Sequence, residues 1–300
     1  MHTINLTKMK QQQYSARITR HTPSAFVFML DLSGSMEEKV NFNGENVSKA
    51  VAVAEIINNT LAELVNRCRR EEGYRDYLDI AVIGYGGEQV RPLLPEGNSH
   101  PVFRKPGELA YAPVEMVKTF RERILPDGKK VISATETKAW IKPHALGKTP
   151  MFGAFEEVYG LLYEWTRKHA DKRCFPPVVI NISDGEATDA EEHELLSVSE
   201  KLHELHTADG NVLIINIYIG ADNGKPAVLF PASESDLPDT PYARLLFGMS
   251  SPMPEIYRSR IAEINGSAIP ETCRGMSYNA SMTDLISLLN IGSLSVSFIS

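Results

Sequence analysis

The sequence predicts a doubly wound α/β fold: a mostly parallel central sheet with helices packed on both faces. Three observations predict it. The segments FVFML (26–30), LDIAVIGY (78–85), VVINIS (178–183) and NVLIINIYI (211–219) are apolar nearly throughout, as strands covered on both faces are. Amphipathic helical patterns separate these runs, and strand–helix alternation argues for parallel strands joined by crossovers. The first and third runs end abruptly in aspartate, at Asp31 and Asp184. Ligands of open α/β sheets gather beyond such carboxyl ends.

Taken in order, residues 1–21 are polar, with a Gln11-Gln12-Gln13 run, and read as an arm or irregular edge. The first core strand covers 25–31. A Ser-rich loop and a polar connection follow, with a turn at Asn43-Gly44. Val47, Ala50, Val51, Ala54, Ile57, Leu61, Leu64 and Val65 recur at the spacing of one buried helical face, predicting a helix over Val47–Arg69. The second strand is Tyr77–Tyr85, and Gly86-Gly87 predicts a turn back into an edge strand over Glu88–Leu94. Residues 95–147 are broken by six prolines. A short helix over Pro113–Arg123 is expected there from Val114, Val117 and Phe120.

Thr149-Pro150 fits an N-cap and first helical position for a helix to His169, with Met151, Phe155, Val158, Leu162 and Trp165 as its buried stripe. After the strand at 178–183, Thr188-Asp189-Ala190-Glu191 reads as a capping box for a helix to His206. His203 and His206, three residues apart on it, read as solvated. Asp209-Gly210 stops this helix before the strand at 211–219. Shorter elements are expected at Tyr242–Gly248, Pro254–Ile264, Arg274–Asn279 and Ser281–Leu289, with a half-buried strand over Leu294–Phe298. With no repeat and no low-complexity linker, the chain reads as a single domain over 1–300. Its core covers 22–220, with an N-terminal arm at 1–21 and a C-terminal extension at 221–300.

The 300 residues carry a formal net charge of -7, which disfavours general nucleic-acid binding. Cys68, Cys174 and Cys273 are odd in number and far apart, as reduced thiols in a reducing compartment are. Met1–Ser24 is polar, without an apolar leader, and the longest apolar runs are too short to cross a bilayer. A cytoplasmic location and no membrane partner are expected.

The chemistry concentrates where the first strand ends. Asp31, Ser33 and Ser35 place a carboxylate and two hydroxyls on one tight loop, which suits a hard divalent cation, Mg²⁺ above all. The pattern Asp31-Leu32-Ser33-Gly34-Ser35 resembles the metal-ion-dependent adhesion site of von Willebrand factor type A (VWA) domains. That motif also needs a loop threonine and a later strand-end aspartate, and Thr149 in Gly147-Lys148-Thr149-Pro150 and Asp184 in VVINISDG match them. The resemblance implies a VWA-like fold in which Ser33, Ser35 and Thr149 offer hydroxyl oxygens to Mg²⁺ (or Mn²⁺ or Ca²⁺). Asp31 and Asp184 would act directly or through water. It further implies a non-catalytic interaction module whose cation accepts an Asp or Glu from a protein partner.

The segments VFMLDLSGSM, LGKTPMFGAF, PPVVINISDGEATD and FGMSSPMPEIYR resemble, more narrowly, bacterial intracellular tellurium-resistance-associated VWA proteins. That branch implies a signalling or stress-response complex, with a protein kinase or phosphatase encoded nearby as possible partners. Partner specificity is sought in 95–147, with Lys138, Trp140, Lys142 and His144 as candidates. The competing expectation is that Trp140 plugs the core.

Two enzyme readings compete. Asp31, Lys148, Thr149, Asp184 and Asp189 mimic a Mg²⁺-dependent haloacid-dehalogenase-like phosphatase or phosphotransferase. The general acid expected two residues after the nucleophile is Ser33, however, and serine cannot serve that role at neutral pH. Gly147-Lys148-Thr149 also looks like the end of a P-loop, but its first glycine is replaced by Lys142. The acidic run Glu186, Asp189, Glu191, Glu192 and Glu194 is expected to favour a helix N-terminus.

Overall fold

The computed structural model of the protein describes residues 14–97, 99–124, 130–220, 226–266 and 272–292. The strand expected over Leu294–Phe298 lies outside the described residues, as does the expected arm up to residue 13.

In chain order the elements are β1 (Ser24–Asp31), β2 (Lys39–Phe42), β3 (Glu45–Ser48), α1 (Lys49–Arg67), β4 (Leu78–Gly86) and β5 (Gln89–Pro92). Next come α2 (Pro106–Tyr111), β6 (Glu115–Ile124), β7 (Lys130–Ala139), α3 (Met151–Lys168), β8 (Val178–Ser183), α4 (Glu192–Glu204) and β9 (Leu213–Ile219). The last are β10 (Val228–Leu229), α5 (Pro241–Met249), α6 (Arg258–Asn265), β11 (Met276–Ala280) and α7 (Met282–Gly292).

Among the described residues, seven strands form the main sheet in the order β10-β11-β9-β8-β1-β4-β5. The five inner strands run parallel, and β10 and β5 close the two edges antiparallel. Side chains alternate across the sheet, as the two-residue period of a strand requires. Phe26, Phe28 and Leu30 face a core shared with α1 and α7. Ala25, Val27 and Met29 face a second core shared with α3, α4 and α5. This is a doubly wound α/β fold with β1 lying between β8 and β4 in its interior. The chain leaves β1 toward β4 and later returns to β8 on the other side, so a crevice opens at the carboxyl end of β1. Inside the second core, Tyr85 donates to Asn181 (2.7 Å), Asn181 to Asn216 (3.1 Å) and Asn216 to Ser250 (3.0 Å). A one-residue slip of β8 or β9 would break this chain, so it helps to hold their register.

Three local expectations are corrected, and one is sharpened. Residues 113–123 form a strand rather than a helix: β6 pairs with β7 from Glu115↔Ala139 to Ile124↔Lys130. The turn expected at Asn43-Gly44 is present and joins β2 to β3 as a tight hairpin, both residues having positive φ (55° and 85°), as a type I′ turn demands. Helix α3 starts at Met151, so Pro150 stands at the cap position and Thr149 precedes it. Thr188 and Asp189 do not cap α4, whose N-terminus is closed by Glu191 and Glu194. Asp189 instead accepts from the Phe152 and Gly153 amides (3.1 and 2.9 Å), capping α3.

Candidate metal centre

Three loops meet at the carboxyl end of β1. Backbone hydrogen bonds stitch them together: Gly34 N–H to Gly147 O (3.0 Å), Leu146 N–H to Leu32 O (2.6 Å) and Gly87 N–H to Lys148 O (2.9 Å). Gly147 takes φ +71°, and a Cβ there would lie 2.8 Å from Gly87 Cα. Conformation and space both demand glycine. A fourth loop, after β8, is held to them because Thr149 N–H donates to the Thr188 hydroxyl (3.0 Å) and Thr188 N–H to Thr149 O (3.0 Å).

The structure brings all five sequence-predicted ligands together. Asp31 is fully buried. Its Oδ1 accepts from Ser33 N–H at 2.8 Å, while its buried Oδ2 has no hydrogen-bond partner among the described residues. The Ser33 and Ser35 hydroxyls are hydrogen-bonded at 3.0 Å, and Ser35 donates to Asp184 Oδ1 at 2.5 Å. Thr149 is buried beside them. Because Pro150 holds the cap position without a side-chain bond, the Thr149 hydroxyl is not spent on capping α3. A Cβ built on Gly185 would stand 3.6 Å from Ser35 Oγ and 3.8 Å from Thr149 Oγ1. The missing side chain at Gly185 therefore leaves space between these two hydroxyls.

Electrostatics mark the same point. Burial pushes the Asp31 carboxyl up to about 7, against the opposing pull of the Ser33 hydroxyl and amide, and the nearby Asp184 carboxylate pushes the same way as burial. A buried carboxylate oxygen without a donor is costly unless a cation or proton compensates it. Lys49, at the first turn of α1, supplies one positive charge nearby. Its Nζ donates to Asp184 Oδ2 (2.9 Å) and Glu38 Oε2 (2.7 Å). Burial alone would lower the Lys49 pKa, but these two acceptors outweigh it and the pKa is raised.

The donor set fits a hard divalent cation. It consists of carboxylate and hydroxyl oxygens only, as Mg²⁺ prefers. No cluster of three or more His, Cys, Asp or Glu side chains that could hold a metal occurs among the described residues, so a cation held here would need the hydroxyls of Ser33, Ser35 and Thr149. Gly185→Ala tests the fit. An added methyl makes only ordinary contacts there, so the apo fold should keep its thermal midpoint within a few degrees. The methyl takes the space between two ligand oxygens, so calorimetric Mg²⁺ or Mn²⁺ binding should disappear. Undiminished binding would place the cation elsewhere.

The partner-specificity candidates fare differently. Trp140 is 1% exposed and lies in the core. Its Nε1 donates to Leu109 O (2.8 Å), and its amide donates to Asn58 Oδ1 (2.8 Å). The indole is thus a core plug and cannot meet a partner in this arrangement. Lys138 is half-buried and donates to Ala110 O. Lys142 and His144 are exposed, and Lys142 Nζ lies 3.4 Å from Glu115. His203 is not solvated: its ring nitrogens meet the Ser251 hydroxyl (3.1 Å) and Met249 O (3.2 Å). Sequence reading missed Lys49, Gly185 and the loop-tying role of Thr188. A signal for Lys49 was present, since Lys49, Val53, Ile56 and Ile57 share one helical face and the last three are buried.

No protein-family model and no curated protein matches the chain. Among solved structures it is similar to a von Willebrand factor type A protein from Catenulispora acidiphila, at 14% identity and TM-score 0.36, over 67% of this chain and 34% of that one. It is also similar to three N-terminal domains of the type V pili tip protein Mfa5 from Porphyromonas gingivalis, at 14% identity and TM-score 0.28, over 56% of this chain and 20% of that one. A third is an uncharacterized membrane-spanning protein from Vibrio fischeri, at 16% identity and TM-score 0.24, over 82% of this chain and 89% of that one. The chain spans well under half the length of the first two. Likeness at this level carries no functional argument, and the fold class rests on the strand order itself. No helix among the described residues is long and apolar enough to cross a membrane.

Proposed function

We propose that this chain is a non-catalytic, VWA-type interaction module that captures a protein partner through a divalent cation. The observation that carries the reading is the convergence of Ser33, Ser35, Thr149 and Asp184 beside Asp31, one of whose buried carboxylate oxygens has no hydrogen-bond partner among the described residues. The sequence resemblance to metal-ion-dependent adhesion sites supports it independently.

In this reading Ser33, Ser35 and Thr149 supply neutral oxygens, so they orient the cation without cancelling its charge. Asp31 supplies the buried negative charge. Asp184, held by Ser35 and Lys49, is fixed in orientation and partly neutralised. A bound Mg²⁺, Mn²⁺ or Ca²⁺ would supply an electrophilic position for an Asp or Glu of the partner. The narrower sequence resemblance makes a bacterial stress-response or signalling complex in the cytoplasm the setting to search. A protein kinase or phosphatase is then the first partner class to test.

The test is a pull-down from native lysate in Mg²⁺ and in EDTA, beside an Asp31→Ala, Ser33→Ala double variant. The expected result is a partner retained only by the wild-type chain in Mg²⁺. Equal retention in all three arms would move recognition away from the metal. Thr149→Ala then separates binding from bracing. If it lowers thermal stability in Mg²⁺ but leaves partner affinity intact, the cation only ties the loops together.

A further inference from the structure

Lys49 is 2% exposed, an unusual place for a lysine. Its ammonium spans Asp184, whose side chain is fully buried, and Glu38, whose side chain is 56% exposed. The backbone repeats the link, because Lys49 N–H donates to Glu38 O (2.9 Å) and Glu38 N–H to Ser35 O (2.9 Å). The helix that begins at Lys49 is therefore tied to the turn that carries Ser33 and Ser35. Asp184 has both oxygens engaged by internal donors, Ser35 on Oδ1 and Lys49 on Oδ2. A lysine that only filled space would have its stem buried and its head in water. This one buries stem and head alike and delivers its charge to a carboxylate of the candidate metal centre.

We infer that Lys49 is a built-in counter-cation that sets the charge of the metal centre. It cancels the negative charge of Asp184, so a divalent ion held there meets only one uncompensated buried carboxylate, Asp31. The loaded site keeps a net positive charge and its attraction for an incoming carboxylate. The cost is weaker metal binding, because an ammonium and a divalent cation repel through a poorly screened interior. Lys49 is a positioning residue, acting through Asp184. The inference rests on the metal reading of the site and names the residue that tunes it.

The experiment measures Mn²⁺ affinity by titration calorimetry on the full chain and on Lys49→Gln and Lys49→Arg, with folding checked by circular dichroism. Glutamine can still donate to Asp184 but carries no charge; arginine keeps the charge. Lys49→Gln should bind Mn²⁺ roughly tenfold tighter than wild type, and Lys49→Arg should stay near wild type. A purely structural role would weaken binding in both variants or move neither. Equal affinity in all three proteins would overturn the inference and leave the metal reading standing. Absence of Mn²⁺ binding in all three would overturn both. If Lys49→Gln does not fold, Glu38→Gln decides from the other side. It frees the ammonium from its second partner at a half-exposed position and should weaken Mn²⁺ binding several-fold; unchanged affinity overturns the inference.

Discussion

Asp31→Asn will make the metal-free protein more stable at neutral and alkaline pH, and it will abolish stabilisation by Mg²⁺. The Asp31 carboxyl titrates at about 7 in the folded chain because it is buried beside Asp184, whereas an unfolded chain titrates near 3.9. Below about pH 4 both states hold the proton, and the group does not bias folding. As pH rises toward 7 the unfolded state loses its proton while the folded state retains it, so stability falls across that window and then levels. A displacement of this size corresponds to something on the order of 4 kcal/mol. Asparagine carries no charge at any pH and removes this contribution to the slope. Thermal melts from pH 4 to pH 8 in EDTA should show the variant gaining stability relative to wild type as pH rises through that window. In Mg²⁺ the wild type should recover at pH 8, and the variant should not respond. A variant whose melting curve tracks wild type across the range would show that Asp31 is compensated in some other way.

Trp140→Ala will cost the largest stability of any single change in the segment that leads to the metal loops. The indole is buried against α1 and α2, with its N–H on Leu109 O and its amide on Asn58. Removing a buried tryptophan costs about 3–5 kcal/mol, and Leu109 loses its side-chain donor as well. Urea unfolding should show the full loss. Partner retention in Mg²⁺, measured at a temperature where the variant is folded, should be unchanged. Intact stability with lost partner binding would return Trp140 to the recognition surface.

These predictions draw on parts of the molecule that differ in how far the sequence discloses them. The central strands were legible because burial on both faces leaves almost nothing polar in them: Phe26–Leu30, Leu78–Tyr85 and Val178–Ser183 are strands where their apolar runs predict them. Asp31 and Asp184 were legible for the same reason, as charges that end such runs. The β6–β7 hairpin was misread because Val114, Val117 and Phe120 follow a three-residue spacing that mimics a helix. Their true partners lie on β7, from Lys130 onward, and pairing at a distance overrides a local pattern. Thr188 and Asp189 were misassigned by proximity. They precede α4 in the chain, yet their hydrogen bonds go to Thr149, Phe152 and Gly153. Lys49 was overlooked despite its place on the buried face of α1, because a lysine on a helix is normally solvated, and its partner Asp184 is brought to it only by the fold.

The three backbone bonds from Gly34, Leu146 and Gly87 have a thermodynamic consequence for whatever binds here. They do not involve the candidate ligand side chains, so they need no cation to form. The conformational entropy of bringing the loops into register is thus surrendered when the chain folds, not when the ion arrives. What remains for binding is the exchange of water for protein oxygens. A site ordered in advance favours quick, reversible engagement over slow loop assembly, which suits a contact that must be made and released repeatedly.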